Sequence, residues 1–103
     1  MKMQLRVARH TDDLNKIRYF YIDILGLELL GEFHDHDGYD GIFLGFKNAA
    51  WHLEFTTSKD QSTGKPDEDD LLVFYPETPL AFEELKKRLL KDGIFEQPSK
   101  NPY

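Results

Sequence analysis

The sequence lacks cysteine and lacks any long hydrophobic run. Without cysteine the chain forms no disulfide, thiolate metal site or cysteine nucleophile, which fits a reducing compartment. A membrane span needs roughly 18 consecutive apolar residues, and none of its segments approaches that length. The N-terminal stretch MKMQLRVARHTDD becomes charged too early for a signal peptide. These absences predict a cytoplasmic protein.

Basic residues are fewer than acidic residues. The 103 residues include 13 Lys and Arg against 19 Asp and Glu, a net charge of −6. That charge repels a phosphate backbone, so nucleic acid is not expected as a partner. No basic amphipathic face is present, which argues against a membrane surface. The hydrophobic fraction of 40% and aromatic fraction of 14% are enough for one packed domain.

The first half of the chain has the pattern of a strand, a helix and three further strands. Alternation of apolar and polar residues indicates the strands, and apolar residues at helical spacing before Gly26 indicate the helix. Asp37-Gly38 is a hairpin signal, because glycine accepts a positive φ. The predicted elements are residues 4–11, 14–25, 27–35, 40–47 and 50–57. In the second strand the period of two assigns Leu27, Leu29, Gly31 and Phe33 to one face.

The second half repeats the beginning of this pattern. Residues 58–69 are polar and contain Gly64 and Pro66, which indicates a linker. A strand is then predicted at 71–75 and an amphipathic helix from Pro79 to Gly93. We therefore expect one domain over residues 1–103, with a first module at about 4–58 and a partial second module at about 69–103.

Three stretches resemble the vicinal oxygen chelate superfamily of glyoxalases, bleomycin-resistance proteins and dioxygenases. They are HTDDLNKIRYFYIDILGLELLGEF, DGYDGIFLGF with WHLEFTTS, and DDLLVFYPE with the following helix. The resemblance covers nearly the whole chain. It implies an α+β fold built on a βαβββ module, with a cupped mixed sheet, helices on its outer face, and a metal or ligand site in the cup.

The resemblance also implies a set of metal-binding positions, which this sequence fills only in part. The first strand of metal-binding members presents His, Gln or Glu where this chain has Arg6, a cation that cannot ligate. Glu54 matches the fourth-strand position, and Asp70 is the nearest residue to the fifth-strand position. The fourth ligand normally comes from a final strand that this sequence does not contain. One divalent metal ion is thus implied by the family and weakly supported by these residues.

His52 and Glu54 are two apart on a predicted strand and share a face, opposite the row of Trp51, Leu53 and Phe55. A carboxylate in an apolar cup is suited to act as a general base, with Asp70, His52 or His10 as a helper. The alternative is a structural ion pair between Glu54 and Arg6. Both interpretations stay open at this point.

Two further groups of residues have candidate roles. His34 and His36 have the spacing of zinc ligands, with Asp40 or His10 as a third, although solvated side chains beside the turn are the favoured interpretation. Most of the aromatic residues belong to a core, whereas Phe43 and Phe74 have the opposite parity and are predicted to hold a flat ligand. The sequence suggests no Ser-His-Asp arrangement.

Two functions are compatible with these observations. One is a glyoxalase-like lyase, isomerase or dioxygenase acting on a small oxygenated molecule. The other is a non-catalytic small-molecule binder of the bleomycin-resistance type. Since the second module stops before its remaining strands, we expect a homodimer that covers an unpaired sheet edge. The alternative is that the chain is part of a longer protein.

Overall fold

The computed structural model describes residues 2–59 and 70–97. The chain divides into two compact units, Met1–Thr63 and Gly64–Tyr103. Most of the predicted linker, residues 60–69, lies outside the described residues, as does the end of the chain from residue 98. Among the described residues, no helix is long and apolar enough to cross a membrane.

The first unit is a mixed four-stranded sheet with one helical segment. Its elements are β1 (Leu5–His10), α1 (Leu14–Arg18), a π-helical segment (Tyr19–Ile24), β2 (Glu28–His36), β3 (Tyr39–Gly45) and β4 (Trp51–Ser58). The strands lie in the order β1-β4-β3-β2. β1 is parallel to β4, and the other neighbours are antiparallel. The predicted β-α-β-β-β order and the α+β class are confirmed.

The helical segment begins and ends at the residues that the sequence indicates. The Asp13 side chain accepts a hydrogen bond from the Lys16 amide at 3.2 Å, which caps α1. Gly26 ends the segment with φ of +83°. The widening into a π-helix was not predicted: the Leu25 amide donates to the Phe20 carbonyl, five residues back, at 3.0 Å.

The hydrophobic core lies between the helical segment and one face of the sheet. The Tyr21 ring packs against the Phe55 ring, with centroids 5.0 Å apart. Full burial of an aliphatic or aromatic side chain contributes about 1.5–3 kcal/mol, so this face accounts for much of the unit's stability. The buried hydrophobic residues are Ile24, Leu27, Ile42, Leu44, Leu53 and Phe55.

A bulge in β2 corrects the predicted alternation. Leu29 pairs with Leu44, on the core side, whereas Gly31 pairs with Phe43, on the opposite side. The register shifts between Leu29 and Gly31. One extra residue in a strand transfers every later side chain to the other face, so Phe33 leaves the core side. The expectation that Leu29 shares a face with Gly31 and Phe33 was therefore wrong.

The hairpin between β2 and β3 turns at Asp37 and Gly38, as predicted. Both residues have positive φ, +51° and +84°. This combination matches the turn that fits the twist of antiparallel strands, and it explains the Asp-Gly pair. Asp35 also has a positive φ of +49°, and the register shifts again between Phe33 and His36.

The described residues of the second unit include the helix α2 (Pro79–Lys91). The Thr78 side chain caps it by accepting from the Ala81 amide at 3.0 Å, and Gly93 follows it with φ of +76°. The predicted helix is confirmed. The strand predicted at 71–75 is not confirmed, because residues 70–76 form neither helix nor strand. A strand requires a partner for its amide and carbonyl groups, and the described residues of the second unit include no strand that could pair with this segment.

Candidate functional site

The candidate site lies on the sheet face opposite the core, here called the site face. The strand register aligns Arg6 with His52 and Phe43 with Glu54 across neighbouring strands. Because side chains alternate along a strand, these positions point away from Leu53 and Phe55. The site face includes Arg6, Ala8, His10, Gly31, Phe33, Tyr39, Gly41, Phe43, Gly45, His52, Glu54, Thr56 and Ser58.

An ion pair joins the two charged residues of the site face. Arg6 Nε lies 3.7 Å from Glu54 Oε1. The Glu54 side chain is 13% exposed and the Arg6 side chain 57% exposed. The carboxylate is therefore shielded by the sheet, while the guanidinium reaches towards solvent.

An aromatic row runs beside the ion pair. The row consists of Phe33, Phe43 and His52, and its neighbouring ring centroids are 5.9 Å apart in both contacts. The Phe43 ring meets His52 edge to face, with an interplanar angle of 68°. The Phe33 ring lies directly over Gly41, where a side chain would collide with it. These rings form an apolar patch next to a carboxylate and a guanidinium.

A second polar cluster lies at the far end of the same face. His10 Nδ1 is 2.9 Å from Thr56 Oγ1, and His10 Nε2 is 3.2 Å from Ser58 Oγ. The Tyr39 ring packs edge-on against His10, with centroids 5.9 Å apart. Sequence analysis named His10 only as a helper for a base or a metal, and it missed both hydroxyls. The parallel pairing of β1 with β4 is what brings them to the imidazole.

The structure unites some of the predicted site residues. Arg6, Glu54, His52 and Phe43 lie on one face of the first unit. Asp70 and Phe74 belong to the second unit, where Asp70 is exposed and Phe74 is half-buried. A role for Asp70 and Phe74 in the site remains a prediction.

The described residues do not bring together the side chains that a divalent metal site needs. Within residues 2–59 and 70–97, no group of three or more His, Asp or Glu side chains could hold a metal ion. The partner of the Glu54 carboxylate is instead the Arg6 guanidinium, which has no lone pair to donate. His34 and His36 belong to no such group in the part of the chain that the structure describes. These residues do not fit the metal that the superfamily implies.

The first unit has the βαβββ fold that the resemblance to the vicinal oxygen chelate superfamily implies. The structure is similar to glyoxalase I of Leishmania major, with a TM-score of 0.68 over 96% of this chain and 74% of that chain, at 22% identity. At this identity the likeness concerns the fold alone.

The chain belongs to the family of YycE-like proteins. The YycE-like N-terminal domain matches residues 5–56. The uncharacterised protein YycE of Bacillus subtilis (strain 168) is 42% identical over 101 residues, which is 97% of this chain and 73% of that protein. A crystal structure of a Bacillus subtilis YycE protein of unknown function, named as a candidate glyoxalase or fosfomycin resistance protein, matches with a TM-score of 0.86 and 41% identity. That match covers 99% of this chain and 75% of that chain.

Proposed function

We propose that the chain binds a small, planar, oxygenated molecule on the site face without a metal. The observation that supports this proposal is the Arg6–Glu54 ion pair beside the aromatic row. Ligand sites are mostly apolar and contain a few polar groups that fix orientation, and this face has that composition. The role corresponds to the binding proteins of the superfamily rather than to its metalloenzymes.

Each residue of the site has a distinct role in this proposal. The Arg6 guanidinium donates hydrogen bonds to a carboxylate or carbonyl oxygen of the ligand, because its planar array of N–H groups suits two oxygens at once. The Glu54 carboxylate accepts a hydrogen bond from a hydroxyl or ammonium group of the ligand. Phe43 packs against the flat body of the ligand, and an aromatic contact of this kind contributes about 0.5–1.5 kcal/mol beyond the area buried. His52, in edge contact with Phe43, fixes that ring.

The test uses para-hydroxybenzoate, a planar probe with a carboxylate for Arg6 and a hydroxyl for Glu54. Isothermal titration calorimetry measures its affinity for chelator-treated protein. We expect Arg6→Gln to weaken binding about tenfold or more, since loss of a charged hydrogen-bond partner costs about 1.5–3 kcal/mol. Phe43→Ala should weaken it about two- to tenfold, because it removes an aromatic contact of about 0.5–1.5 kcal/mol. Cyclohexanecarboxylate, which is not planar, should bind more weakly than the probe.

A matched control comes from a second ion pair of the same kind. Arg18 pairs with Glu32, and that pair joins α1 to β2 on the core side of the sheet. Arg18→Gln removes a cation of the same charge without touching the site face, so it should leave the affinity unchanged. Equal losses from Arg6→Gln and Arg18→Gln would mean that only net charge matters and would overturn the proposal.

A second candidate function is catalytic, with Glu54 as a general base. The observation that favours it is the low exposure of the Glu54 side chain, 13% against 41% for Glu32. A carboxylate shielded from water is suited to remove a proton from a carbon next to a carbonyl, the step that opens isomerase and lyase reactions. We do not extend this candidate to dioxygenase chemistry, since the described residues supply no metal donor set.

The catalytic candidate is tested by deuterium exchange into hydroxyacetone, a small carbonyl compound with acidic C–H bonds. Proton NMR in heavy water follows the loss of these signals. Catalysed exchange that Glu54→Gln abolishes and Glu32→Gln leaves intact would establish Glu54 as the base. Exchange at the rate of the buffer alone would leave the binding function as the better account.

We also propose that the protein is a cytoplasmic homodimer. β1 and β2 are the outer strands of the four-stranded sheet in the described residues, and β2 runs for nine residues from Glu28 to His36. A long outer strand with unpaired amide and carbonyl groups invites pairing with another chain. Light scattering after size-exclusion chromatography measures the mass, and a monomer at high concentration would refute the dimer. The absence of cysteine supports a reducing compartment.

A further inference from the structure

We propose that Ser58 is a nucleophile activated by His10, and that it forms covalent esters with acyl and phosphonyl electrophiles. The observation is the cluster at the far end of the site face, in which a serine hydroxyl, an imidazole and a threonine hydroxyl are linked in series. A nucleophile within reach of a base, with that base oriented by a third group, is the arrangement that activates serine in enzymes.

The distances are those of a working hydrogen-bonded series. Ser58 Oγ lies 3.2 Å from His10 Nε2, within the range through which a base removes a proton. On the other side of the ring, His10 Nδ1 lies 2.9 Å from Thr56 Oγ1. When Nδ1–H donates to Thr56, Nε2 carries the lone pair that accepts the Ser58 proton. Thr56 is thus proposed as a positioning residue, whose hydroxyl favours this tautomer when it accepts the hydrogen bond from Nδ1–H.

The strands hold the three groups in place. Thr56 and Ser58 are two apart on β4 and therefore point to the same face. His10 is the last residue of β1, and it pairs with Thr56 in the parallel register. The edge contact with Tyr39 restricts rotation of the imidazole. Groups placed on strands are held more accurately than groups on loops, which favours a constant nucleophile-to-base distance.

His10 is exposed and Ser58 is half-buried, so an electrophile has access from solvent. With an ester, Ser58 Oγ forms a bond to the carbonyl carbon while its proton passes to His10 Nε2. The C–O bond to the alcohol then breaks, and the leaving oxygen takes that proton. Water, deprotonated by His10, attacks the acyl-serine, releases the carboxylic acid and restores Ser58. A neutral threonine stabilises the imidazolium less than a carboxylate does, so turnover should be slow.

The test is labelling with a fluorophosphonate. Ser58 Oγ bonds to phosphorus, fluoride leaves, and His10 takes the hydroxyl proton. Intact mass and peptide mapping of the full chain should show a single adduct on Ser58. We expect His10→Ala to slow labelling about 100-fold, the lower part of the range for acid–base catalysis, and added imidazole to restore part of the rate.

Three variants separate this chemistry from a structural role. Thr57→Ala removes the hydroxyl next to Ser58 on the opposite face and should label like the unaltered protein. Thr56→Ser, which keeps the hydroxyl, should retain labelling, and Thr56→Val should lose it. An adduct on another residue, no adduct at all, or labelling that His10→Ala does not slow would overturn the proposal. The two tests use different residues and different readouts, with covalent mass at Ser58 and His10 here and calorimetry at Arg6 and Phe43 for the proposed function, so the two proposals fail independently.

Discussion

Substitution of Gly41 by alanine tests the geometry of the site face directly. Gly41 is buried in β3, and a methyl group there would occupy the space of the Phe33 ring. The ring must swing away, so Phe33 loses its contacts with Gly41 and Phe43. Full burial of a Phe side chain contributes about 1.5–3 kcal/mol, and Phe33 is half-buried, so we assign about 1–2 kcal/mol to the displaced ring. The lower chain entropy of alanine returns about 0.5–1 kcal/mol.

The net expectation for Gly41→Ala is a loss of about 1 kcal/mol, or about 4–8 °C in Tm for a domain near this size. Urea unfolding measures the free energy and differential scanning calorimetry the Tm. Gly31→Ala is the matched control, because its new methyl group would lie 3.5 Å from Phe43, an ordinary contact. It should be neutral or slightly stabilising.

A double-mutant cycle sharpens the test. In the Phe33→Ala background the colliding ring is absent, so Gly41→Ala should cost nothing further. The reasoning is refuted if Gly41→Ala destabilises both backgrounds equally, or if Gly31→Ala is as damaging as Gly41→Ala. Because Phe33 belongs to the aromatic row, Gly41→Ala should also weaken para-hydroxybenzoate binding.

Three further predictions concern pH, helix capping and metal. Burial raises the pKa of Tyr21 above its ordinary value of 10.0, against a smaller lowering by Arg9. The unfolded chain therefore loses the phenol proton before the folded chain does, and stability falls as pH rises above about 10. Tyr21→Phe should show a smaller fall in unfolding free energy between pH 8 and pH 11, and equal falls would contradict this. Thr78→Ala removes the N-terminal cap of α2 and should lower the stability of that helix by about 1 kcal/mol. Hydrogen exchange should then be faster at the Ala81 amide, and unchanged exchange there would contradict this prediction. Zinc, nickel or manganese should raise the Tm of the chelator-treated protein by no more than they raise the Tm of the Glu54→Ala variant. A metal site in the native state, with metal at about 100-fold over its Kd, would instead add about 2.7 kcal/mol to the free energy of unfolding.

The elements of the first unit were predictable because their signals are local. Asp13 and Gly26 mark the ends of the helical segment in the sequence, and Asp37-Gly38 marks the hairpin. The Arg6–Glu54 pair was anticipated as well, since strand parity and the order of strands place both side chains on one face.

The features that were missed depend on pairing between distant segments. The β2 bulge follows from the register against β3, which single-strand alternation cannot reveal. The His10 cluster joins His10 to Thr56 and Ser58, which lie 46 and 48 positions further along the chain. Residues so far apart in the sequence do not form a recognisable motif. The strand predicted at 71–75 is a short apolar run, LLVFY, but the described residues of the second unit include no strand to pair with it. The local hydrophobic pattern indicates which segments can form strands, and hydrogen-bonded pairing with another strand determines which of them do.

The most direct test of the central claim is an NMR titration of chelator-treated protein with para-hydroxybenzoate. The Arg6 Nε–H signal and the Phe43 ring signals report on the site face, and the Arg18 Nε–H signal is an internal reference from the other ion pair. A metal-independent binding site predicts saturable shifts of Arg6 and Phe43 with Arg18 unmoved. Shifts confined to Arg18, or the absence of any saturable change, would contradict the account.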